Sequence, residues 1–211
     1  MKKLHLEAFA LPPLPTNCYI IHDGDQALAI DPGAPSPVVR DFLHSRRITL
    51  THILLTHLHS DHTAGAAPLA RAFHAGIFAS KKDGWMLDDY LGKGDDDWSI
   101  PAVERFTFQH LAQGDLAVFN RACRVLETPG HSPGGLTFYF KTMSAIFPGD
   151  TLFRKTHGRT DFSGGDRLVI MKSLCDVIFP LPGSTMVYPG HGRPFLLREA
   201  LLFQEHHDSR P

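Results

Sequence analysis

The segment His57-Leu58-His59-Ser60-Asp61-His62 puts three imidazoles and a carboxylate within six positions, directly after the apolar run Ile53-Leu54-Leu55. From composition alone, His-x-His-x-Asp-His is expected by chance in fewer than about one such chain in a hundred. Imidazole and carboxylate are side chains that bind divalent metals. Three later turns carry the same chemistry: TPGHSPGG with His131, FPGDTLF with Asp150 and VYPGHG with His191. Glycine or proline flanks the ligand in each, which lets the chain bend tightly and aim one side chain outward. His57 and His59 are two apart, so an extended backbone points both to one side. Asp61 and His62 fall where the chain must turn into a helix and approach from another direction. One motif can therefore feed two adjacent ions.

Seven candidate ligands (His57, His59, Asp61, His62, His131, Asp150 and His191) suit two ions with a shared carboxylate and an open position for water. Imidazole suits zinc, iron and nickel, whereas calcium or magnesium would want oxygen ligands throughout. Two divalent ions outweigh two aspartates and one hydroxide by a single positive charge, which would draw a carbonyl or phosphoryl oxygen and stabilise an oxyanion. His44, His52, His74 and His110 read as surface or core residues. His157, between Asp150 and Arg159, also falls outside the expected ligand set. A closed, non-catalytic metal module is the competing class. Structural zinc sites, however, take four ligands, often thiolates, and none of Cys18, Cys123 and Cys175 stands in a motif.

The elements that must position these groups follow from periodicity. Strands are expected at Cys18–His22 and Ala27–Ile30 around the turn Asp23-Gly24, then at His52–Leu55 and Ile77–Ala79. Helical spacing predicts Pro37–Arg46 and a small-residue helix over Ala64–His74 stopped by Gly76. Residues 81–105 carry glycines, acidic residues and two tryptophans without a clear period, which predicts a long loop with a helical turn. It is either a lid or binding loop, or a surface insertion. Strands return at Phe106–Gln109, Leu116–Phe119, Cys123–Glu127, Leu136–Phe140 and Ala145–Phe147. A helix over Asp166–Phe179, a strand at Thr185–Tyr188 and a helix over Leu196–His206 end the chain. This order fits two sheets with helices outside, a layered α/β arrangement.

Composition narrows the function. The chain has 211 residues, enough for one domain over 1–211. Lysine plus arginine (21) nearly balances aspartate plus glutamate (22), and no basic run exceeds two residues, so a nucleic-acid partner is not expected. No apolar run reaches the roughly 18 residues of a membrane span, and His5, Glu7 and the prolines break any signal-peptide core near the start. Cytoplasmic residence is the default. The three cysteines are expected to be reduced and mostly buried. The partner that remains is a small-molecule substrate, with oligomeric state left open.

With these motifs in hand, the sequence resembles the metallo-β-lactamase-fold hydrolases, and in particular the short, single-domain branch similar to glyoxalase II. The resemblance runs from Asn17-Cys18-Tyr19 to His191-Gly192 and implies a four-layer αββα sandwich with the site at one edge between the sheets. It implies that His57, His59 and His131 hold one metal, that Asp61, His62 and His191 hold the other, and that Asp150 bridges them. Asp31 in AIDPGA would support the metal loop without ligating. Zinc is the implied metal, with iron or manganese also compatible. The implied reaction is attack on a thioester such as S-lactoylglutathione by a hydroxide shared between the ions, with Asp61 orienting it and accepting its proton. In GRTDFSGGD, Arg159 takes the basic substrate-binding position of glyoxalase II, and Asp161 stands where that family has a tyrosine. Only 20 residues follow His191, so the helical carboxy-terminal domain that completes the glutathione site is not expected here. A persulfide dioxygenase-type oxygenase with one iron on His57, His131 and Asp150 is the alternative on the same fold, and lactonase or other ester hydrolysis a third.

Overall fold

The computed structural model describes residues 2–92 and 99–200. Strand β1 (His5–Leu11) pairs antiparallel with β2 (Thr16–His22) along its whole length, from His5 opposite His22 to Leu11 opposite Thr16. At the next turn the Asp23 carboxylate accepts the N–H groups of Asp25 at 3.0 Å and Gln26 at 2.9 Å. This side-chain turn returns β3 (Gln26–Ile30) antiparallel onto β2. Helix α1 (Pro37–Ser45), β4 (Thr49–Leu54), α2 (Ser60–Thr63), α3 (Ala66–Phe73), β5 (Gly76–Ala79), α4 (Gly84–Tyr90) and β6 (Gln109–His110) follow, and β3 to β6 run parallel. The six strands lie in the sheet in chain order.

A second sheet is built from β7 (Gly114–Val118), β8 (Arg121–Glu127), β9 (Leu136–Phe140) and β10 (Ala145–Gly149). The small ribbon β11 (Leu152–Phe153) and β12 (Thr156–His157) comes next, then α5 (Arg167–Ser173). The sheet is completed by β13 (Met186–Pro189) and β14 (Phe195–Leu196), in the order β14-β13-β10-β9-β8-β7.

The two-residue alternation of the strands feeds three separate cores. Cys18 and Ile20 of β2, Ala27 and Ala29 of β3, and Ile53 of β4 pack with Val39 and Leu43 of α1 and Leu69 of α3. Their neighbours Tyr19, Ile21, Leu28, Ile30 and Leu54 face the other way, into a core shared with Phe138, Phe140 and Phe147 of the second sheet. Beyond that sheet, Ile146 and Val187 pack on Leu174 and Ile178. The layers are therefore helix, sheet, sheet, helix, as expected. Strands buried on both faces read as nearly continuous apolar runs, which is why β2 is buried at every position.

Several elements differ from the expected ones. Strand β1 was not expected; as an edge strand it buries little beyond Leu11, so its residues carry only a weak apolar pattern. The second helix begins at Ala66, after the separate turn α2, and ends before His74, which takes the left-handed conformation that terminates it (φ 55°). Strand β6 covers only Gln109–His110, because β5 offers it only Phe78 and Ala79 as partners; Phe106 and Phe108 pack on the first core instead. The helix after Asp166 continues as a π-helical segment over Leu174–Ile178. Ile170, Leu174 and Ile178 are buried at a spacing of four, which an α-helix would rotate by about 40° per step, and a wider turn keeps them on one face. Phe195–Leu196 is a strand and residues 197–200 are helical; the rest of the helix expected to 206 lies outside the described residues. Residues 81–105 hold α4 and an isolated bridge between Leu91 and Val103, with 93–98 outside the described residues. Cys18 and Cys123 are buried, whereas Cys175 is exposed, and all three are free thiols.

Phe138 is fully enclosed within the inter-sheet core. Phe138→Ala should cost about 3–5 kcal/mol of unfolding free energy, read as a lower urea midpoint at unchanged slope.

Candidate metal centre

The ligand turns converge because of strand direction. Parallel pairing brings the carboxyl ends of β3 and β4 to one edge, and likewise those of β10 and β13. Strands β8 and β10 are both antiparallel to β9, so they share a direction. Asp31 follows β3, the His57–His62 segment follows β4, His131 follows β8, Asp150 follows β10 and His191 follows β13. The two sheets are stitched at this edge. The Leu136 N–H donates to the Thr56 carbonyl at 2.7 Å. The Tyr19 hydroxyl and the Asn17 side-chain amide donate to the Pro189 carbonyl at 2.7 and 3.0 Å.

All seven expected ligands meet there. Two groups, His57-His59-His131 and Asp61-His62-His191, each present ligand atoms within 4.8 Å of one another. Asp150 lies between them, with Oδ1 at 3.4 Å from His62 Nε2 and Oδ2 at 3.5 Å from His191 Nε2 and 3.8 Å from His131 Nε2. A side chain at Gly190 would bring a Cβ to 2.2 Å from Asp150 Oδ1, so only glycine lets the His191 turn close over that carboxylate.

Outward hydrogen bonds fix which imidazole nitrogen faces in. Carbonyls only accept, so His131 Nδ1–H donates to Arg159 O at 2.7 Å and leaves Nε2 as the lone pair. His191 Nδ1 faces the Pro15 carbonyl at 3.3 Å in the same way. The Thr56 hydroxyl gives its hydrogen to Asp31 Oδ2 at 2.6 Å, so it accepts from His57 Nδ1 at 2.9 Å. Asp31 also holds the Thr56 N–H at 2.8 Å and His62 Nδ1 at 2.9 Å. Asp31 also forms a third group of close ligand atoms with His57 and His62, but these three hydrogen bonds already engage its carboxylate, which fits a supporting role. His59 is the exception, turning its Nδ1 inward to 3.0 Å from His131 Nε2.

The residues fit a divalent metal. His57 Nε2, His62 Nε2 and Asp150 Oδ1 are buried polar atoms with no hydrogen-bond partner, and all belong to this cluster. Burial keeps His57 neutral, well below the usual imidazole range, and burial with the nearby His131 pushes His59 down to about 4. Burial also opposes charge on His62 and His191, but the carboxylates of Asp61 and Asp150 outweigh it and raise both, His62 the more strongly. Burial likewise opposes the Asp61 carboxylate, and the surrounding imidazoles hold it far below the usual carboxyl range. His62 and His191 must release their protons to ligate through Nε2, so metal affinity rises with pH. Zinc added to the metal-free protein near pH 7 should release about one to two protons per chain, read as a buffer-dependent heat of binding. No release would show these imidazoles to be neutral.

Beside the ligands lies a cavity of about 390 Å³, walled by Leu14, Tyr90, Ile100, Phe153 and Phe162 as well as the metal residues. Arg159 lines it too, but its guanidinium is already forked onto Asp161 (2.9 and 2.8 Å) and lies 4.2 Å from the centre of the Phe162 ring. His157 turns its Nδ1 to the Gly158 carbonyl at 2.7 Å and falls in none of the groups of close ligand atoms. His44 and His52 stack on Phe73 and Phe78 away from the centre. Sequence reasoning missed Thr56, Phe153, Phe162 and the buried Asp83. Phe162 and Phe153 had a signal in their nearness to the Asp150 and Arg159 motifs; Asp83 sat in a segment without a period.

The family profile described as the metallo-beta-lactamase superfamily matches residues 11–191. A Bacillus subtilis (strain 168) protein named as a probable metallo-hydrolase, YqgX, is 30% identical over 194 residues, covering 85% of this chain and 86% of its own. Hydroxyacylglutathione hydrolase GloC of Haemophilus influenzae is 28% identical over 195 residues, covering 90% and 91%. The crystal structure of TTHA1623 in a di-iron-bound form superposes with a TM-score of 0.81 at 32% identity, covering 92% of this chain and 96% of that one. With its layers, its edge site and its ligand turns all in place, this chain belongs to the metallo-beta-lactamase superfamily, as a metallo-hydrolase.

Proposed function

We propose that the chain is a thioester hydrolase that works with two divalent ions, most readily zinc, with iron or manganese as substitutes. Its proposed substrate is an S-(2-hydroxyacyl)glutathione such as S-lactoylglutathione. The observation that carries this reading is Asp150, whose carboxylate stands within 3.4–3.8 Å of imidazoles from both ligand groups at the floor of the cavity. A mononuclear oxygenase would use only His57, His131 and Asp150; the nearness of Asp61, His62 and His191 supports the two-ion hydrolase. The likeness to GloC supports a thioester of glutathione.

When bound, the ions would polarise the acyl carbonyl and make water acidic enough to ionise near neutral pH. Asp61 is placed to orient the attacking water, since its Oδ2 is held by His191 Nε2 at 3.2 Å and Thr16 Oγ1 at 3.3 Å. Its depressed pKa makes it a weak proton acceptor, so orientation is its larger contribution. The apolar walls cover the acyl and thiol chains and exclude bulk water. Arg159 is the one lysine or arginine among the described lining residues, and Asp161 already occupies its fork. The glutathione carboxylates therefore meet a cation that is largely neutralised.

Purified protein should carry close to two metal ions per chain and release free thiol from S-lactoylglutathione, with the activity lost on chelation. Full activity in the His59→Ala/Asp150→Ala double variant would overturn the reading. Oxygen uptake with glutathione persulfide and a single iron per chain would transfer it to the oxygenase. Asp161→Asn should free Arg159 and lower KM for S-lactoylglutathione about two- to fivefold at nearly constant kcat, a gain that high salt removes. An unchanged KM would show that Arg159 takes no part in binding the thiol.

A further inference from the structure

Asp83 ends the turn that precedes α4, in the segment that carried no readable period, and it is fully buried. Its carboxylate accepts the Ser132 hydroxyl at 2.7 Å, the Gly134 N–H at 2.5 Å and the Leu58 N–H. Leu58 lies between His57 and His59, and Ser132 follows His131 directly. One buried carboxylate thus grips both backbone segments that carry the first ligand group. The approach is close enough that a Cβ at Gly134 would fall 2.6 Å from the Asp83 carboxyl carbon. The hydrogen-bond partners of the Asp83 carboxylate are a hydroxyl and backbone N–H groups, and burial pushes its carboxyl pKa up. A buried carboxylate is costly to keep unless its hydrogen bonds do something an apolar residue could not.

We infer that Asp83 is a positioning residue for the His57-His59-His131 group, setting the separation of the two ligand turns from behind. Asp31 does the corresponding work for His62 by direct contact; Asp83 acts through backbone and a serine hydroxyl, touching no ligand imidazole. Because Asp83 also precedes α4, which ends at Tyr90 in the cavity wall, it ties that wall to the same ligand group. Carboxylates that hold a ligand imidazole directly typically alter metal affinity about 10–100-fold when removed, and one acting through the backbone falls toward the lower end of that range.

The inference rests on the two-ion reading and is tested by zinc competition with a chromophoric chelator, without any turnover assay. Asp83→Ala should weaken one zinc equivalent about 10–100-fold and leave the other nearly unchanged. Asp83→Asn, which still offers partners to Ser132 and Gly134, should recover part of the loss, and Ser132→Ala should weaken the same equivalent by a smaller factor. Phe138→Ala serves as the control for a loss of stability alone and should leave both affinities intact. The cobalt(II) visible spectrum should change in the Asp83 variants and not in the control. Wild-type affinity in Asp83→Ala, or an equal loss in Phe138→Ala, overturns the role of Asp83. If Asp83→Ala does not fold, wild-type affinity in Ser132→Ala and Asp83→Asn overturns it as well. Failure of the wild-type protein to take up two ions would instead overturn the two-ion reading, and the inference with it.

Discussion

Imidazoles and carboxylates packed together out of water are costly unless every polar atom has a partner. That constraint organises the edge where the two sheets meet. His57, His62, His131 and His191 each tie their outer nitrogen to oxygen from the chain, so that the inner nitrogen points into the cluster in a fixed direction. What remains unpartnered inside the cluster is what a cation would complete. Asp61 and Asp150 raise the pKa of both His62 and His191, so protonation and metal binding compete for the same atoms.

Asp31 is the hub of this arrangement. It takes a left-handed backbone conformation at the end of β3 (φ 49°), one that aspartate tolerates better than most residues. From there it gathers the Thr56 backbone and hydroxyl and the His62 ring, so the first strand-end turn and the ligand segment after β4 are held by one carboxylate. Asp83 grips the same ligand segment at Leu58 and the His131 turn at Ser132 and Gly134. Both supports are buried aspartates that hold backbone as well as side chains. The centre is therefore positioned by elements that come from different parts of the chain.

The cavity beside the centre has a different character. Its walls are largely aromatic and aliphatic beside the metal residues, and the one lysine or arginine among the described lining residues is engaged by a neighbour two residues away. For the proposed thioester, such walls would favour recognition of the acyl group and sulfur near the metal residues over recognition of distant charge. That agrees with a chain in which Asp161 occupies the place where the glyoxalase II pattern has a tyrosine.

Much was decided by local sequence. Short, nearly continuous apolar runs in Cys18–His22 and Ala27–Ile30 marked strands, and they are continuous because successive side chains face opposite layers and both layers are covered. The ligands were legible because imidazole and carboxylate at strand ends, flanked by glycine and proline, have few structural uses; six of them fall in the two groups and Asp150 lies between these. The edge strand β1, the length of β6 and the π-helical turn over Leu174–Ile178 were not legible, since each depends on what a neighbouring element offers as a partner. The same holds for Asp83 and for the pairing of Arg159 with Asp161. A carboxylate's type is written in the chain, but its role depends on the groups it faces. Those groups lie 49 and 51 residues away for Asp83, a separation only the tertiary structure closes.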